Sequence, residues 1–370
     1  MKREASLYLD MLRFLAAFVV FVQHFAWRHF SGGLFWQIGP YGAQAVIVFF
    51  VLSGYLMGYV TDRPGTTGRG YALDRAARLY SVVLPALLLT FVLDAIGRHL
   101  HPDLYSGGWV NSGEPLVSQF LRNGLFVNQI WFTDTHPGTD VPYWSMGYEP
   151  WYYLIFGFVL FLPRVWGACV ALAVMAVVGP RVVAMFPVWL FGFAAYRLSA
   201  LGWPRSRALG VALFAGAPAG WAVFEFWMQS HGIRATQPLP EHRWELWQDQ
   251  FVGLACAVHL LGLNAVAPVI GRLLDPFEGM IRWLAGRSFT LYLMQVPVMQ
   301  FLLVLAPFAR FSWEARAFIA FGTLAVVGLL AEVTERRKSW WRVLFGRILS
   351  RFLPERLKMP AAVRDRTVLR

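Results

Sequence analysis

"LYLDMLRFLAAFVVFVQHFAW", residues 7–27, is the stretch that decides the fold. It carries Asp10 and Arg13 near one end and His24 near the other, and is otherwise almost wholly apolar. A run of roughly 17–25 such residues crosses the hydrocarbon layer as a helix. In lipid a helix satisfies all of its own backbone groups, whereas an open strand does not. Comparable runs recur near 6–27, 42–60, 79–97, 146–162, 165–179, 182–200, 207–228, 250–269, 288–305 and 317–334. The expected fold is therefore an all-α, polytopic membrane protein of about ten transmembrane helices. A transmembrane domain over 1–335 would be followed by a basic amphipathic tail over 336–370.

Composition agrees. The 370 residues are 57% hydrophobic and only 15% charged, with a mean hydropathy of +0.49, outside the range of soluble domains. The first run carries charges and lacks a following small-residue cleavage site, so it reads as a retained span rather than a signal peptide. Cys169 and Cys256 fall inside apolar runs and read as small packing residues, implying neither disulfide nor metal. No cluster has metal-ligand spacing, and no glycine-rich phosphate loop or nucleophile elbow is present.

Arginine placement sets the orientation. Lys2 and Arg3, then Arg63, Arg69, Arg75 and Arg78, Arg205 and Arg207, Arg272, Arg282 and Arg287, and the tail all fall on one side if ten spans are counted. The connections 98–143 and 229–249 on the other side carry Asp103, Glu114, Asp134, Asp140, Glu241, Glu245 and Asp249. The excess of basic residues on one side places both termini in the cytoplasm. The net charge of +12 invites a nucleic-acid reading. Its location speaks instead for membrane lipid. In "KSWWRVLFGRILSRFL" Trp341, Leu344, Phe345, Ile348 and Phe352 recur at helical spacing, with Arg342, Arg347 and Arg351 on the complementary arc. That is the pattern of a helix lying on an anionic surface.

Within the first span, the eleven positions from Arg13 to His24 give a net rotation of about 20° and a rise of about 16.5 Å. Both side chains share one face, with Asp10 placed to pair with Arg13. Ionisable groups inside lipid are costly and mark a pathway or site. Arg13 reads either as a snorkelling boundary arginine or as a phosphate holder at the inner side. His24 reads either as a packing histidine or as a group acting on a thioester at the outer side. On the functional reading the two line one passage, whose length suits an extended carrier arm.

Further motifs follow in order: "FFVLSGYLM" (49–57), "LDRAARLYSVVLP" (73–85), "WSMGYEPWYY" (144–153) and "GRSFTLYLMQVPV" (286–298). Together with the first span, the chain resembles membrane-bound acyltransferase family 3, which O-acylates sugars of cell-surface glycans. Arg13 and His24, separated by ten residues, match that family's first-span hallmark. Ser53, Gly54 and Tyr55 match its serine-glycine-tyrosine segment, and Arg75 and Arg78 its basic entry to the third span. Trp144, Ser145, Glu149 and Tyr153 match its tryptophan-serine motif. The chain departs from the pattern at Gln295, where members often have histidine, and at Asp74, where arginine is common. Pro150, directly after Glu149, suits a first helical position and points to Glu149 as a helix cap.

The resemblance implies acyl transfer from cytoplasmic acyl-CoA, acetyl-CoA first among donors, to a glycan hydroxyl at the outer face of a bacterial inner membrane, without a metal. His24 would act as general base or transient acyl carrier, Glu149 as its partner or a mere cap, and Arg13, Arg75 and Arg78 as phosphate forks. Ser53 is expected near the donor or, with Gly54, as a residue that lets helices pack closely. Trp144, Tyr153, Tyr292 and Gln295 are expected to meet substrate, with Trp109 and Trp131 either stacking on sugar rings or sitting as interfacial belt residues. His259 reads as a packing histidine, and Glu332 and Glu335 as partners of Arg336 or Arg337. Two rivals stand beside this reading: a transporter or flippase of a glycan or lipid-linked sugar, and a scaffold that has lost activity. The first predicts pseudo-symmetric halves with matched broken helices, which the sequence does not display.

Overall fold

The computed structural model describes residues 1–107, 109, 114–231 and 243–352. Among the described residues all regular structure is helical. The helices are α1 (Arg3–Phe25), α2 (Arg28–Ser31), α3 (Tyr41–Thr61), α4 (Gly68–Leu100), α5 (Leu116–Gly124), α6 (Glu149–Phe161), α7 (Arg164–Val178), α8 (Pro180–Ala200), α9 (Arg207–Ser230), α10 (Arg243–Leu274), α11 (Glu278–Ala285), α12 (Ser288–Leu305), α13 (Trp313–Val333) and α14 (Lys338–Phe352). Eight of these, α1, α3, α4, α8, α9, α10, α12 and α13, are long and apolar enough to cross a bilayer. The all-α, polytopic membrane fold stands. Of the ten expected spans, those near 146–162 and 165–179 correspond to α6 and α7, which reach only 13 and 15 residues.

The shortness of α6 has a cause in the segment before it. Asn123, Asn128, Thr139, Asp140 and Tyr143 are fully buried, so this connection packs into the bundle rather than lying over it. Non-helical backbone is tolerated at such depth only when protein groups satisfy it. Here Asp94 of α4 accepts from the Thr139 backbone nitrogen at 2.8 Å and the Thr139 hydroxyl at 2.7 Å. Tyr143 donates to the Asn123 carbonyl at 2.7 Å. Arg181 of α8 donates to the Thr133 carbonyl and Gln129 Oε1 at 2.7 and 2.8 Å. After a short 3-10 turn over Val141–Gly147, the chain becomes α-helical at Glu149.

At the centre, α3 packs against α1, α8 and α10. Its crossing with α8 is backbone on backbone: a Cβ on Gly54 would overlap the Trp189 carbonyl oxygen, and one on Gly192 the Val51 carbonyl oxygen. Small residues permit this approach, the usual device where lipid offers no hydrophobic drive for helix association. The sequence reading of Ser53–Gly54 as a close-packing step is met at Gly54.

One end of the bundle gathers Met1, the Arg63 turn, α11 and α14, and is called the basic end below. There α14 folds back on α4, with Phe345 5.7 Å from the Tyr80 ring and Arg342 Nε 2.6 Å from Asp74 Oδ1. Trp341 stacks on Phe345 at 5.8 Å, while Trp340, Val343, Leu344 and Ile348 are exposed. The apolar side chains expected on one surface-facing arc are thus divided between a protein contact and an outward face. Residues 353–370 of the expected tail, and 232–242 of the connection before α10, lie outside the described residues.

Candidate functional site

Antiparallel packing of α1 and α3 sets the levels. A Cβ on Gly42 would overlap the Gln23 side chain, so Gln23 and Gly42 lie side by side. Ser53 is eleven residues further along α3 and Arg13 ten residues back along α1, about 16 and 15 Å at the helical rise. Ser53 and Arg13 therefore share a level deep in the bundle, while His24 lies one residue past the Gln23–Gly42 level.

Around Ser53 the structure assembles a cluster. Its hydroxyl donates to Glu149 Oε1 at 2.5 Å and lies 3.0 Å from the Tyr153 hydroxyl. Tyr153 also donates to Glu149 Oε1 at 2.5 Å, and Trp189 Nε1 donates to Ser53 Oγ at 3.2 Å. Arg78 hydrogen-bonds to Tyr153 and feels the Glu149 charge, and the Arg75 guanidinium lies 5.5 Å over the Tyr153 ring. These bonds to an ionised acceptor are the strong kind. Tyr148, not Glu149, is the N-cap of α6 and makes no side-chain cap bond, so Glu149 is the first helical residue rather than the expected cap. Its carboxylate turns sideways to Ser53 and Tyr153.

Two cavities meet at this cluster. The larger, about 600 Å³, opens at the basic end and is lined by Arg3, Arg63, Arg75, Arg78, Arg282 and Lys338 against one carboxylate, Asp10. The smaller, about 50 Å³, is lined by Arg13, Glu149, Ser145, Tyr292, Phe49 and Phe289, among others. Ser53, Leu56 and Arg78 line both, and so stand where the two cavities adjoin.

Arg13 donates to the Ala285 carbonyl at 2.8 Å and pairs with Asp10 at 3.3 Å, the partner expected from sequence. Asp10 is shared with Arg282. Tyr292 accepts from Ser145 at 2.8 Å and donates to the Pro142 carbonyl at 2.9 Å. One turn further along α12, Gln295 is fully buried; its amide donates to the Tyr292 carbonyl at 3.1 Å and its Oε1 has no hydrogen-bond partner.

His24 is not brought to this cluster and lines neither cavity. It is 6% exposed near the far end of α1. Its Nδ1 lies 2.8 Å from the Val20 carbonyl. A carbonyl can only accept, so Nδ1 carries the proton and a neutral ring presents Nε2 as the basic nitrogen. The ring packs edge-on to Trp27 at 4.9 Å, and Trp27 packs against Trp109 at 5.8 Å. His29 joins at 5.1 Å from Trp109 and 2.7 Å from Gln300 Oε1. Trp109 is thus linked to His24 through Trp27, whereas Trp144 packs on Tyr148 at 5.6 Å and Trp131 is half exposed.

His259 is held between Tyr8 at 2.5 Å and the Phe214 carbonyl at 2.7 Å, a packing role. Glu332 pairs with Arg287 and, at 2.7 Å, Arg336, and Glu335 accepts from the Phe289 backbone at 3.1 Å. Sequence reasoning gave no site role to Arg63, Arg282 or Lys338. The available signal was their position on the arginine-rich side, which served only to orient the chain.

A polytopic helical membrane protein with an arginine-lined chamber at one end and a buried carboxylate–hydroxyl cluster at its floor is the class that fold and site define. Within that class, the chain belongs to acyltransferase family 3: the sequence model described as "Acyltransferase domain" matches residues 6–332. Among curated relatives, the chain is 30% identical over 199 residues to "Exopolysaccharide production protein ExoZ" of Rhizobium meliloti (strain 1021), covering 49% of this chain and 59% of that protein. It is 30% identical over 193 residues to "Acyltransferase MdmB" of Streptomyces mycarofaciens, covering 48% of this chain and 47% of that protein. The matches thus span about half the length of these relatives. No solved structure matches the chain.

Proposed function

We propose that the protein is a membrane O-acyltransferase that carries an acyl group from acyl-CoA at its basic, cytoplasmic end to a hydroxyl of a glycan at the opposite, outer face of a bacterial inner membrane. The observation that carries this reading is the arginine-lined chamber adjoining, at Ser53, Leu56 and Arg78, a smaller pocket lined by Glu149 and Arg13. Guanidinium forks suit the phosphates of coenzyme A, and the thioester arm is the part thin enough to pass from one cavity to the other. Family membership supports acyl transfer, and the exopolysaccharide role in the name of one relative supports a glycan acceptor.

Acetyl is the proposed acyl group. The smaller pocket, about 50 Å³, has room for several water-sized groups at about 10–15 Å³ each. Its wall includes Phe49, Phe50, Leu56 and Phe289, apolar surface that suits a short acyl group on its way outward.

In the proposed reaction the phosphates stay among the arginines and the arm extends outward past Tyr292 and Gln295 toward His24. The unpartnered Gln295 oxygen gives that route a polar step. His24 Nε2 takes the proton of the acceptor hydroxyl as its oxygen bonds to the thioester carbonyl carbon. The carbon–sulfur bond then breaks, and the proton returns to the departing thiolate. The rise of about 16.5 Å between Arg13 and His24 is the span the arm covers. The aromatic group of Trp27 and Trp109 beside His24 supplies faces on which a sugar ring can stack.

The test uses purified protein in lipid vesicles, acetyl-CoA and candidate glycans, with acetyl ester and free thiol as readouts. Wild type is expected to form both in equal amounts, with loss of at least a hundredfold in His24→Ala, the usual weight of a general base. Thioester consumption absent across donors would overturn the reading in favour of a flippase. Undiminished transfer by His24→Ala would remove that residue from the chemistry.

A further inference from the structure

The large chamber is walled in part by α14, the helix that the sequence alone assigns to the membrane surface. Lys338, its first residue, lines the chamber with Arg63, Arg75, Arg78 and Arg282. The cations around the chamber divide into two groups. Arg3 and Arg282 are neutralised by Asp275, Glu278 and Asp10. Arg63, Arg75, Arg78 and Lys338 have no carboxylate within ion-pair distance among the described residues. Arg63 and Arg75 instead lie over the rings of Tyr59 and Tyr153 at 4.6 and 5.5 Å. Glu149 acts on Arg78, and Glu335 on Arg78 and Lys338, only from beyond ion-pair distance, so the four cations still repel each other, and an added anion would complete the set.

We propose that α14 is part of the donor site, with Lys338 a ligand of the coenzyme A phosphates and the Asp74–Arg342 pair the clamp that holds it there. This rests on the acyl-CoA reading above and adds a residue and an element to it. The clamp is specific. Arg342 reaches Asp74 at 2.6 Å, one turn after Lys338, and Phe345 continues the contact on Tyr80. Asp74 is the position where an arginine would have matched the basic motif. On α4 it stands one residue before Arg75 and four before Arg78, so one stretch of helix both supplies two phosphate forks and anchors the helix carrying a third cation. The exposed Trp340, Val343, Leu344 and Ile348 lie on the rest of α14, where they meet lipid. Burial, helped by Arg78, Arg13 and Arg75 and opposed by Glu335, holds the Lys338 ammonium below its ordinary range. A bound phosphate reverses that.

Calorimetric titration of coenzyme A, dephospho-coenzyme A and pantetheine into the purified full-length protein in nanodiscs tests this without needing the acceptor. Lys338→Ala is expected to weaken coenzyme A about tenfold, the loss of one charge-assisted hydrogen bond, with Lys338→Arg restoring most of it and pantetheine binding unchanged. Asp74→Arg is expected to weaken coenzyme A similarly, and the swap Asp74→Arg with Arg342→Asp to recover it. Unchanged coenzyme A affinity in Lys338→Ala overturns the proposal and leaves the acyltransferase reading standing. A loss of equal size for pantetheine overturns it too, because the lysine would then not be reading phosphate. Wild type that binds no coenzyme A overturns the donor reading and this proposal together.

Discussion

Replacing Gly54 by alanine is the sharpest probe of how the scaffold holds the site. The added Cβ would land on the Trp189 carbonyl oxygen, with the Trp189 carbonyl carbon 3.0 Å away and the Phe193 nitrogen 3.1 Å away. All three are backbone atoms, so no side chain can swing aside. Restoring an ordinary separation of about 3.5 Å between non-bonded atoms requires α3 and α8 to part by more than about 1 Å. Overpacking of this kind costs about 1–3 kcal/mol. The parting also acts on chemistry: the 3.2 Å bond from Trp189 Nε1 to Ser53 Oγ would stretch beyond hydrogen-bond range, loosening the side of the cluster that faces α8. A misplacement of that size costs about a hundredfold in rate. Tryptophan-fluorescence melting in detergent, together with acetyl-transfer turnover, reads both effects. Gly220→Ala, on α9, is the control, since its Cβ meets nothing within 4 Å. Expected are a melting point lower by several degrees and turnover down about a hundredfold for Gly54→Ala, with Gly220→Ala much closer to wild type. Wild-type melting and turnover in Gly54→Ala would refute the claim that the α3–α8 crossing sets the position of Ser53.

Glu149→Gln keeps the shape but turns two charge-assisted bonds, from Ser53 and Tyr153, into neutral ones, and leaves Arg78 without its nearby anion. Turnover is expected to fall at least tenfold, with coenzyme A binding by calorimetry little changed. Phe49→Ala enlarges the small pocket and is expected to raise the hexanoyl-to-acetyl ratio of kcat/KM about tenfold, the weight of one to two methylene groups; a ratio that stays put would mean chain length is selected elsewhere. The Lys338 ammonium, lowered by burial and by Arg78, Arg13 and Arg75, loses its proton at a lower pH than the usual lysine. Folded protein then binds fewer protons than unfolded protein between that lowered pKa and the ordinary 10.5, so the empty protein gains stability as pH rises through this window. Coenzyme A affinity runs the opposite way, weakening with alkalinity in wild type while staying flat in Lys338→Arg. A flat wild-type profile would contradict it.

How much of this was legible in the sequence follows from what hydropathy can register. The long apolar runs around Val20, Val83 and Leu293 announce α1, α4 and α12 because burial in lipid and burial in protein draw on the same residues. Gly54 as a packing contact and Asp10 as the partner of Arg13 were readable because both depend on helical spacing alone. The depth of Glu149 was not. A window average sees Asn123, Asn128, Thr139 and Asp140 as polar connection and has no means of registering that Asp94 and Arg181 hold that connection inside the bundle. Nor does the helical periodicity of α14 distinguish a face meant for lipid from one meant for α4; Trp341 and Phe345 look like Leu344 and Ile348 until Tyr80 is placed beside them. The one-face relation of Arg13 and His24 is a property of α1, whereas the cavity that takes in Arg13 is shaped by α3, α6 and α12, which the spacing on α1 does not encode.

The junction at Ser53, Leu56 and Arg78 has an electrical consequence. A cell membrane stores its potential across this protein, and each elementary charge moved through 100 mV changes energy by about 2.3 kcal/mol. A corridor wide enough for a hydrated ion would let that stored energy drain. On the proposed acyl-CoA reading, the wide chamber at the basic end and the pocket of about 50 Å³ beside it keep the anionic head of the donor on its own side of the voltage. Only the neutral arm then extends inward, so the proposed delivery carries no electrical cost and opens no leak.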